Sequence, residues 1–183
     1  RLDFINDIDA NFKDEVLTKK GELKKEWTNR IRMAKHPYLN TEYLGILFDT
    51  ANVLLKDSPL KFRKVRQAMN YAIDRKKMMM YLRNSIGTAA ESGFIPAGMP
   101  GFDTVLVKGY HYDPAMAKKL LDEAGFPDGF ETTISYRDVV RVYLPNVNQV
   151  VQEIQAQLAE VGIKVTIEKM ESGPFLESVA AGG

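Results

Sequence analysis

Apolar residues recur at helical spacing in three stretches of the chain and alternate with polar ones in two others. Within residues 58–86, Phe62, Val65, Met69, Ala72 and Ile73, with Ala68 beside them, form one apolar stripe, and Met78, Met79, Leu82 and Ile86 form a second. The polar pair Asp74-Arg75 lies between the two. The pattern therefore predicts one long helix, or two short helices with a bend near Asp74. Pro59 fits only the first turn of a helix, and Ser58 before it can cap the free amides. Residues 113–124 predict a second helix, with Asp113 as cap, Pro114 at the first helical position, and Ala117, Leu120, Leu121 and Ala124 as the buried face. Gly125 supplies its left-handed stop. A third helix, residues 146–161, carries Val147, Val150, Val151, Ile154, Leu158 and Val161 on one side and ends at Gly162.

The alternating segments flank that third helix. Phe130, Thr132, Ile134 and Tyr136 share one face of a predicted strand. Ile163, Val165 and Ile167 alternate with Lys164, Thr166 and Glu168 in another. Strand, helix and strand joined by short connections predict a βαβ unit with a right-handed crossover. Earlier residues give weaker patterns: strands at 2–5, 31–35 and 41–49, a brief helix at 11–17 and a charged amphipathic segment at 21–27. Residues 87–112 contain Gly93, Pro96, Gly98, Pro100 and Gly101, and predict an irregular surface loop packed through Phe94, Ile95 and Phe102. A short helix at 174–181 follows the last strand. The fold class expected is α/β (mixed α+β), a mixed sheet flanked by helices.

Composition narrows the chemistry. At 183 residues the chain suffices for one domain or one lobe of something larger. A net charge of +1 favours neither nucleic acid nor any other strongly charged partner. With no cysteine, disulfides, zinc–thiolate sites and cysteine nucleophiles are excluded. No apolar run approaches the ~20 residues that span a bilayer. The chain opens at Arg1 on strand-like residues, so it is expected to be an excerpt of a longer protein. His36 and His111 have no partner at ligand or triad spacing, and no phosphate-binding glycine loop follows a strand. No catalytic residues, metal site or cofactor are expected.

Two sets of basic residues remain. Lys61, Arg63, Lys64, Arg66, Arg75, Lys76 and Lys77 spread over both flanks of the apolar stripe and form no single track, and no stacking aromatics interleave with them. They suit snorkelling flanks better than a nucleic-acid face. Arg137 and Arg141 lie in the segment between strand 130–136 and helix 146–161, beyond the carboxyl end of a strand, where α/β folds place ligands. An arginine there could pair bidentately with a carboxylate, or could be a surface arginine on a loop.

The stretch SPLKFRKVRQAMNYAIDRKKM resembles the signature helix of extracytoplasmic solute-binding proteins of the peptide/nickel type (family 5), the binding subunits of ATP-binding-cassette importers. Val65-Arg66-Gln67-Ala68 and Tyr71-Ala72-Ile73-Asp74-Arg75 carry the match. It continues through Phe94-Ile95-Pro96, through Tyr112-Asp113-Pro114 with Ala117, Leu120, Leu121, Ala124, Gly125 and Phe126, and through Gln157-Leu158 and Gly162-Ile163. It covers about residues 40 to 180. One departure is that Phe62 stands where the family usually has a capping aspartate, so Ser58 or water must serve the first amides.

The resemblance implies a periplasmic-binding-protein-like type II fold. Residues 1–183 would form a single partial lobe, the second, of a two-lobed receptor that closes on its ligand. It implies a non-enzymatic, monomeric protein that captures peptides and delivers them to a membrane permease, in the periplasm or otherwise outside the cytoplasm, with membrane attachment only through a lipid anchor outside this stretch. In dipeptide-binding members, an arginine just before the last long helix meets the peptide's carboxylate. Arg141, in the order Arg-x-Tyr-x-Pro-Asn, falls at that position, which makes Arg141, Tyr143, Asn146 and Arg137 the candidate ligand-binding residues. The alternatives are another solute of the same family, such as a nickel complex or an oligosaccharide, or a nucleic-acid-binding or scaffold domain using the basic helix 61–77.

Overall fold

In the computed structural model, which describes residues 4–6, 8–9, 11–47 and 52–182, the two alternating segments pair with each other. The described helices are α1 (Lys13–Val16), α2 (Arg63–Ala72), α3 (Arg75–Arg83), α4 (Pro114–Glu123), α5 (Val147–Ala159) and α6 (Ser172–Ala181). The strands are β1 (Phe130–Arg137) and β2 (Ile163–Met170). The chain divides into two compact units. One comprises Arg1–Thr41, Arg75–Gly109 and Val140–Asn146; the other comprises Glu42–Asp74, Tyr110–Val139 and Val147–Gly183.

The second of these holds the βαβ motif. β1 and β2 run parallel, in register from Phe130 beside Ile163 to Arg137 beside Met170, and α5 packs on them. Ile134, Tyr136, Ile163 and Val165 from the strands and Val147, Val151, Leu158 and Val161 from α5 and its exit are buried. The alternation and the helical stripe thus meet as the pattern predicts. Beside them α2 packs on α4. Val65, Ala68 and Ala72 of α2 and Ala117 of α4 are wholly buried, since alanines let two helix backbones approach closely. Asp113 Oδ1 accepts from Met116 N at 2.9 Å, and Pro114 occupies the first turn, as expected. Phe126 N donates to Leu121 O at 2.9 Å past Gly125, at φ +88°, which closes the helix with a left-handed stop.

The predicted bend near Asp74 is real: α2 stops at Ala72 and α3 starts at Arg75. The helix start differs from expectation. Ser58 Oγ accepts from Leu60 N and caps a separate single turn, Pro59–Lys61, while α2 begins after Phe62 with no side-chain cap. Phe62 is 42% exposed and rests on Phe126, ring centroids 5.8 Å apart, rather than in the core. The helix expected at 174–181 starts earlier, at Ser172, because Pro174 is tolerated in its first turn.

In the other unit, α1 sits inside the segment expected to be helical. Leu17 is its buried apolar centre and Asn84 its buried polar one. Asn84 Nδ2 donates to Asp14 Oδ1 at 2.9 Å and Thr18 O at 3.3 Å, and its Oδ1 accepts from Lys13 Nζ at 2.9 Å. Asn84 and Ser85 both have positive φ, +50° and +57°, and Ser85 Oγ donates to Lys19 O at 2.7 Å. Such backbone strain, ~1–3 kcal/mol per residue, persists only where surrounding contacts determine it. Gly21, at φ +74°, passes so near that a Cβ would lie 2.7 Å from Asn84 O.

Three expected strands are not found among the described residues. Residues 31–35 and 41–47 have no ladder partner among the described residues, and residues 48–49 lie outside them. Of segment 2–5, residues 2 and 3 lie outside the description, and Phe4 and Ile5 are exposed and irregular. Strand propensity measures how a side chain packs on a pleated surface, and without a neighbouring strand it produces only extended chain. The loop at 87–112 is irregular, as expected, but Phe94 and Ile95 are exposed rather than packed; Phe102 is half-buried.

Two predictions follow from this packing. Gly129 and Gly162 open the two strands at φ +79° and +92°, and a Cβ on Gly129 would lie 1.9 Å from the Gly162 carbonyl oxygen. Gly129→Ala should therefore cost more than ~2 kcal/mol, because crowding adds to backbone strain. Gly125→Ala, with open space around the new methyl, should cost only the strain, ~1 kcal/mol. Equal urea midpoints for the two variants would refute the crowding. In the other unit, hydrogen bonds from Lys13, then Lys19 and Asn84, hold the Asp14 carboxyl well below the usual carboxylate range. A depressed folded value gives stability that is complete above the unfolded pKa, ~3.9, and is lost as pH falls below it. Trp27, the sole tryptophan, donates to Glu15 O at 3.2 Å beside this cluster. Its fluorescence should change below about pH 4 in the native protein, and Asp14→Asn should flatten that acid limb.

Candidate functional site

Arg141 and Leu144 face each other across a tight turn. Arg141 N donates to Leu144 O at 3.3 Å and Leu144 N to Arg141 O at 3.0 Å. The pair closes a four-residue turn whose tip is Val142 and Tyr143, and Pro145 follows it. Val140 and Val142 are exposed, whereas Arg141, Tyr143 and Asn146 are half-buried. Among the described residues no carboxylate forms an ion pair with the Arg141 guanidinium. A guanidinium offers a planar anion two parallel hydrogen bonds.

The turn is braced from the same unit. The Tyr143 ring lies against Tyr38, centroids 5.6 Å apart and tilted by 34°. The segment bearing Tyr38 is in turn held by the long loop: Thr41 Oγ1 donates to Phe94 O at 2.9 Å, and a Cβ on Gly98 would lie 2.6 Å from Pro37 Cβ. The loop is anchored to α3 through Glu91, whose carboxylate meets Lys76 Nζ at 2.7 Å. Burial pulls the Arg75 guanidinium below its ordinary value, and the Glu91 charge opposes that.

Of the four expected site residues, Arg141, Tyr143 and Asn146 share this turn and its exit, within one unit. Arg137 belongs to the other unit. It ends β1 with its guanidinium 5.9 Å from the Phe175 ring of α6, a cation–π contact. Tyr38 was missed by the sequence reading, since it lies in no periodic segment and far from Tyr143 along the chain. His36 and His111 are exposed, and among the described residues no cluster of histidine and carboxylate side chains could hold a metal ion. In the second unit, Arg66 donates to Leu60 O and Lys61 O, at 2.8 and 2.9 Å, Lys64 pairs with Glu123 at 3.0 Å, and Lys61 lies over the Phe62 ring. These members of the basic set are engaged locally, as snorkelling flanks would be.

The family model of bacterial extracellular solute-binding proteins, family 5 middle, matches residues 1–183, and the chain belongs to that family. It is 36% identical over 152 residues to the dipeptide-binding protein of Escherichia coli, covering 83% of this chain and 27% of that one. It is 35% identical over 135 residues to heme-binding protein A of Haemophilus influenzae, covering 74% of this chain and 23% of that one. The solved structure of HbpA2 from Haemophilus parasuis superposes with a TM-score of 0.63 at 34% identity, over 70% of this chain and 25% of that one. The chain thus spans about a quarter of the length of the curated relatives it matches. Its helices and parallel strands are those of the periplasmic-binding-protein type II fold.

The bracing of the turn can be tested without touching it. Gly98→Ala should force Pro37 and Leu39 apart from the loop, at a cost of ~1–3 kcal/mol in chemical denaturation and with a changed near-ultraviolet tyrosine signal from the Tyr38–Tyr143 pair. Unchanged stability and spectrum would show that the loop gives way instead.

Proposed function

We propose that this chain is part of the ligand-capturing subunit of an ATP-binding-cassette importer, that its ligands are peptides, and that Arg141 receives the ligand's terminal carboxylate. The observation that carries the reading is Arg141, a half-buried residue without a carboxylate ion-pair partner among the described residues, on a turn whose backbone is closed by two hydrogen bonds. A backbone fixed before binding loses little conformational freedom when the side chain it carries meets its partner. The likeness to a dipeptide-binding protein and to glutathione-binding proteins supports peptides, and the likeness to a heme-binding protein is what supports another solute of the family. Tyr143 and Asn146, beside Arg141 in the same segment, are proposed to line the carboxylate site, and Arg137 is proposed as a ligand-binding residue of the other unit.

In this reading the residues contribute to one lobe of a two-lobed, monomeric receptor outside the cytoplasm, which delivers its cargo to a permease and catalyses nothing. Anchoring to the membrane would come through a lipid rather than a span, and no described helix is long and apolar enough to cross one.

Calorimetric titration of the full-length protein with di- to pentapeptides tests this. Binding should be saturable and largely tolerant of salt. A hydrogen bond to a charged group contributes ~1.5–3 kcal/mol, so Arg141→Ala should weaken binding by about 10- to 100-fold. Amidating the peptide's C-terminus should cost the native protein a similar factor and the Arg141→Ala variant almost nothing, since the interaction is then already lost. Amidation that weakens both proteins equally would remove Arg141 from the carboxylate. Salt-steep binding of DNA or RNA without any response to peptides would overturn the receptor reading itself.

A further inference from the structure

We propose that Tyr38 is a specificity-determining residue of the Arg141 site, its exposed ring forming a wall for an apolar or aromatic side chain carried next to the ligand's carboxylate. The inference rests on the reading of Arg141 as the carboxylate receptor and adds to it a preference for one class of peptide, those ending in a large apolar residue.

Tyr38 is 62% exposed, so burial of its own ring does not explain its position. Its position comes from its neighbours. Pro37 before it has a fixed φ and is crowded by the backbone at Gly98. Asn40 N donates to Tyr38 O at 2.8 Å, and Thr41 Oγ1 ties the segment to Phe94 O. On its inner side the ring meets half-buried Tyr143. An aromatic ring so braced offers a large contact area with only two side-chain torsions to immobilise, which is why tyrosine is favoured where ligands are gripped.

Proximity to the guanidinium follows from the chain. Tyr143 is two residues from Arg141, a span of at most ~7 Å even when extended, and the turn between them is closed by backbone hydrogen bonds at both ends. Tyr38 therefore packs against a tyrosine that lies two residues from Arg141 on the same turn. The side chain of a peptide's last residue branches one carbon from its carboxylate. A ligand whose carboxylate meets Arg141 thus carries that side chain into the neighbourhood of the tyrosine pair. Leu39, next to Tyr38, and Phe94, whose carbonyl oxygen accepts from Thr41 Oγ1, are exposed as well. Nothing charged on the described Tyr38 segment, residues 37–41, would favour an acidic or basic side chain there.

The test compares Ala-Phe with Ala-Ala by calorimetry on the full-length protein. The native protein should prefer Ala-Phe. Tyr38→Ala should lower the ratio of the two affinities about tenfold, and the ring-keeping Tyr38→Phe should restore it. Arg141→Ala should weaken both peptides alike and leave the ratio in place. An unchanged ratio in Tyr38→Ala, or equal losses for both peptides there, would overturn the assignment of Tyr38 and reduce it to a brace for the turn. A ratio that collapses in Tyr38→Ala while Arg141→Ala alters neither peptide would overturn the carboxylate reading instead. If neither dipeptide binds the native protein, the peptide reading falls and this inference with it.

Discussion

The backbone N–H of Asp74 donates to Oε1 of Gln157 at 2.7 Å, and this bond satisfies the first amide beyond the C-cap of α2. Helix α2 runs to Ala72, and Ile73 after it is extended, at φ −103° and ψ 115°. The next amide can no longer reach a helical carbonyl. Left unpaired in the interior it would cost ~1–3 kcal/mol. Gln157, on the buried side of α5 at only 4% exposure, accepts it, and its own amide is held by Glu153 Oε1 at 2.7 Å. The stop of one helix is thus guaranteed by a polar residue on another. Asp74 is also the last residue of one unit before Arg75 opens the other, so this hydrogen bond marks where the chain changes units.

The unit containing Gln157 is held mainly by apolar burial. Three alanines at the α2–α4 contact allow close approach, Asp113 N donates to Tyr71 O at 2.8 Å and ties the start of α4 to α2, and Phe62, Phe126 and Phe130 stack in sequence at its edge. The βαβ motif adds a second layer whose buried positions are aliphatic apart from Tyr136 on β1 and Gln157 on α5. Each device is local in sequence or repeats with the period of its element. That is why periodicity alone located α2, α4, α5, β1 and β2 to within a few residues, and why the glycine stops at 125 and 162 fell where the apolar stripes ended.

What periodicity could not reach is equally specific. Residues 41–47 have the composition of a strand but no partner among the described residues, and pairing is a property of two segments. Gln157 sits on an apolar helix face where a polar residue looks misplaced until the end of α2 is beside it. Asn84 looks like an ordinary helix-ending residue, yet it is buried and holds α1 through three groups far away in sequence. The Arg141 turn was approached through the order Arg-x-Tyr-x-Pro-Asn and its place after a strand, a resemblance rather than a pattern of burial. Tyr38 had no signal at all: its neighbours are loop residues, and only the three-dimensional contact with Tyr143 distinguishes it from any exposed tyrosine.

The unit carrying Arg141 is built on a different principle from its neighbour. Among the described residues its buried apolar ones are few, its most buried polar side chain is Asn84, and polar contacts such as Glu91 to Lys76 and Thr41 to Phe94 attach its long loop. Tyr38, Leu39, Phe94, Ile95, Val105 and Leu106 remain exposed. Segments with little apolar burial and many isolated hydrogen bonds sit at the low end of local stability, and ligand-binding elements are drawn from there because they must adjust to what they hold. A guanidinium needs the opposite property, a fixed direction, if it is to discriminate a carboxylate from other groups. The backbone bridge at Arg141 and Leu144 reconciles the two demands. It fixes the backbone of four residues through two hydrogen bonds, so the base of the arginine keeps its place in a unit with little apolar burial around it.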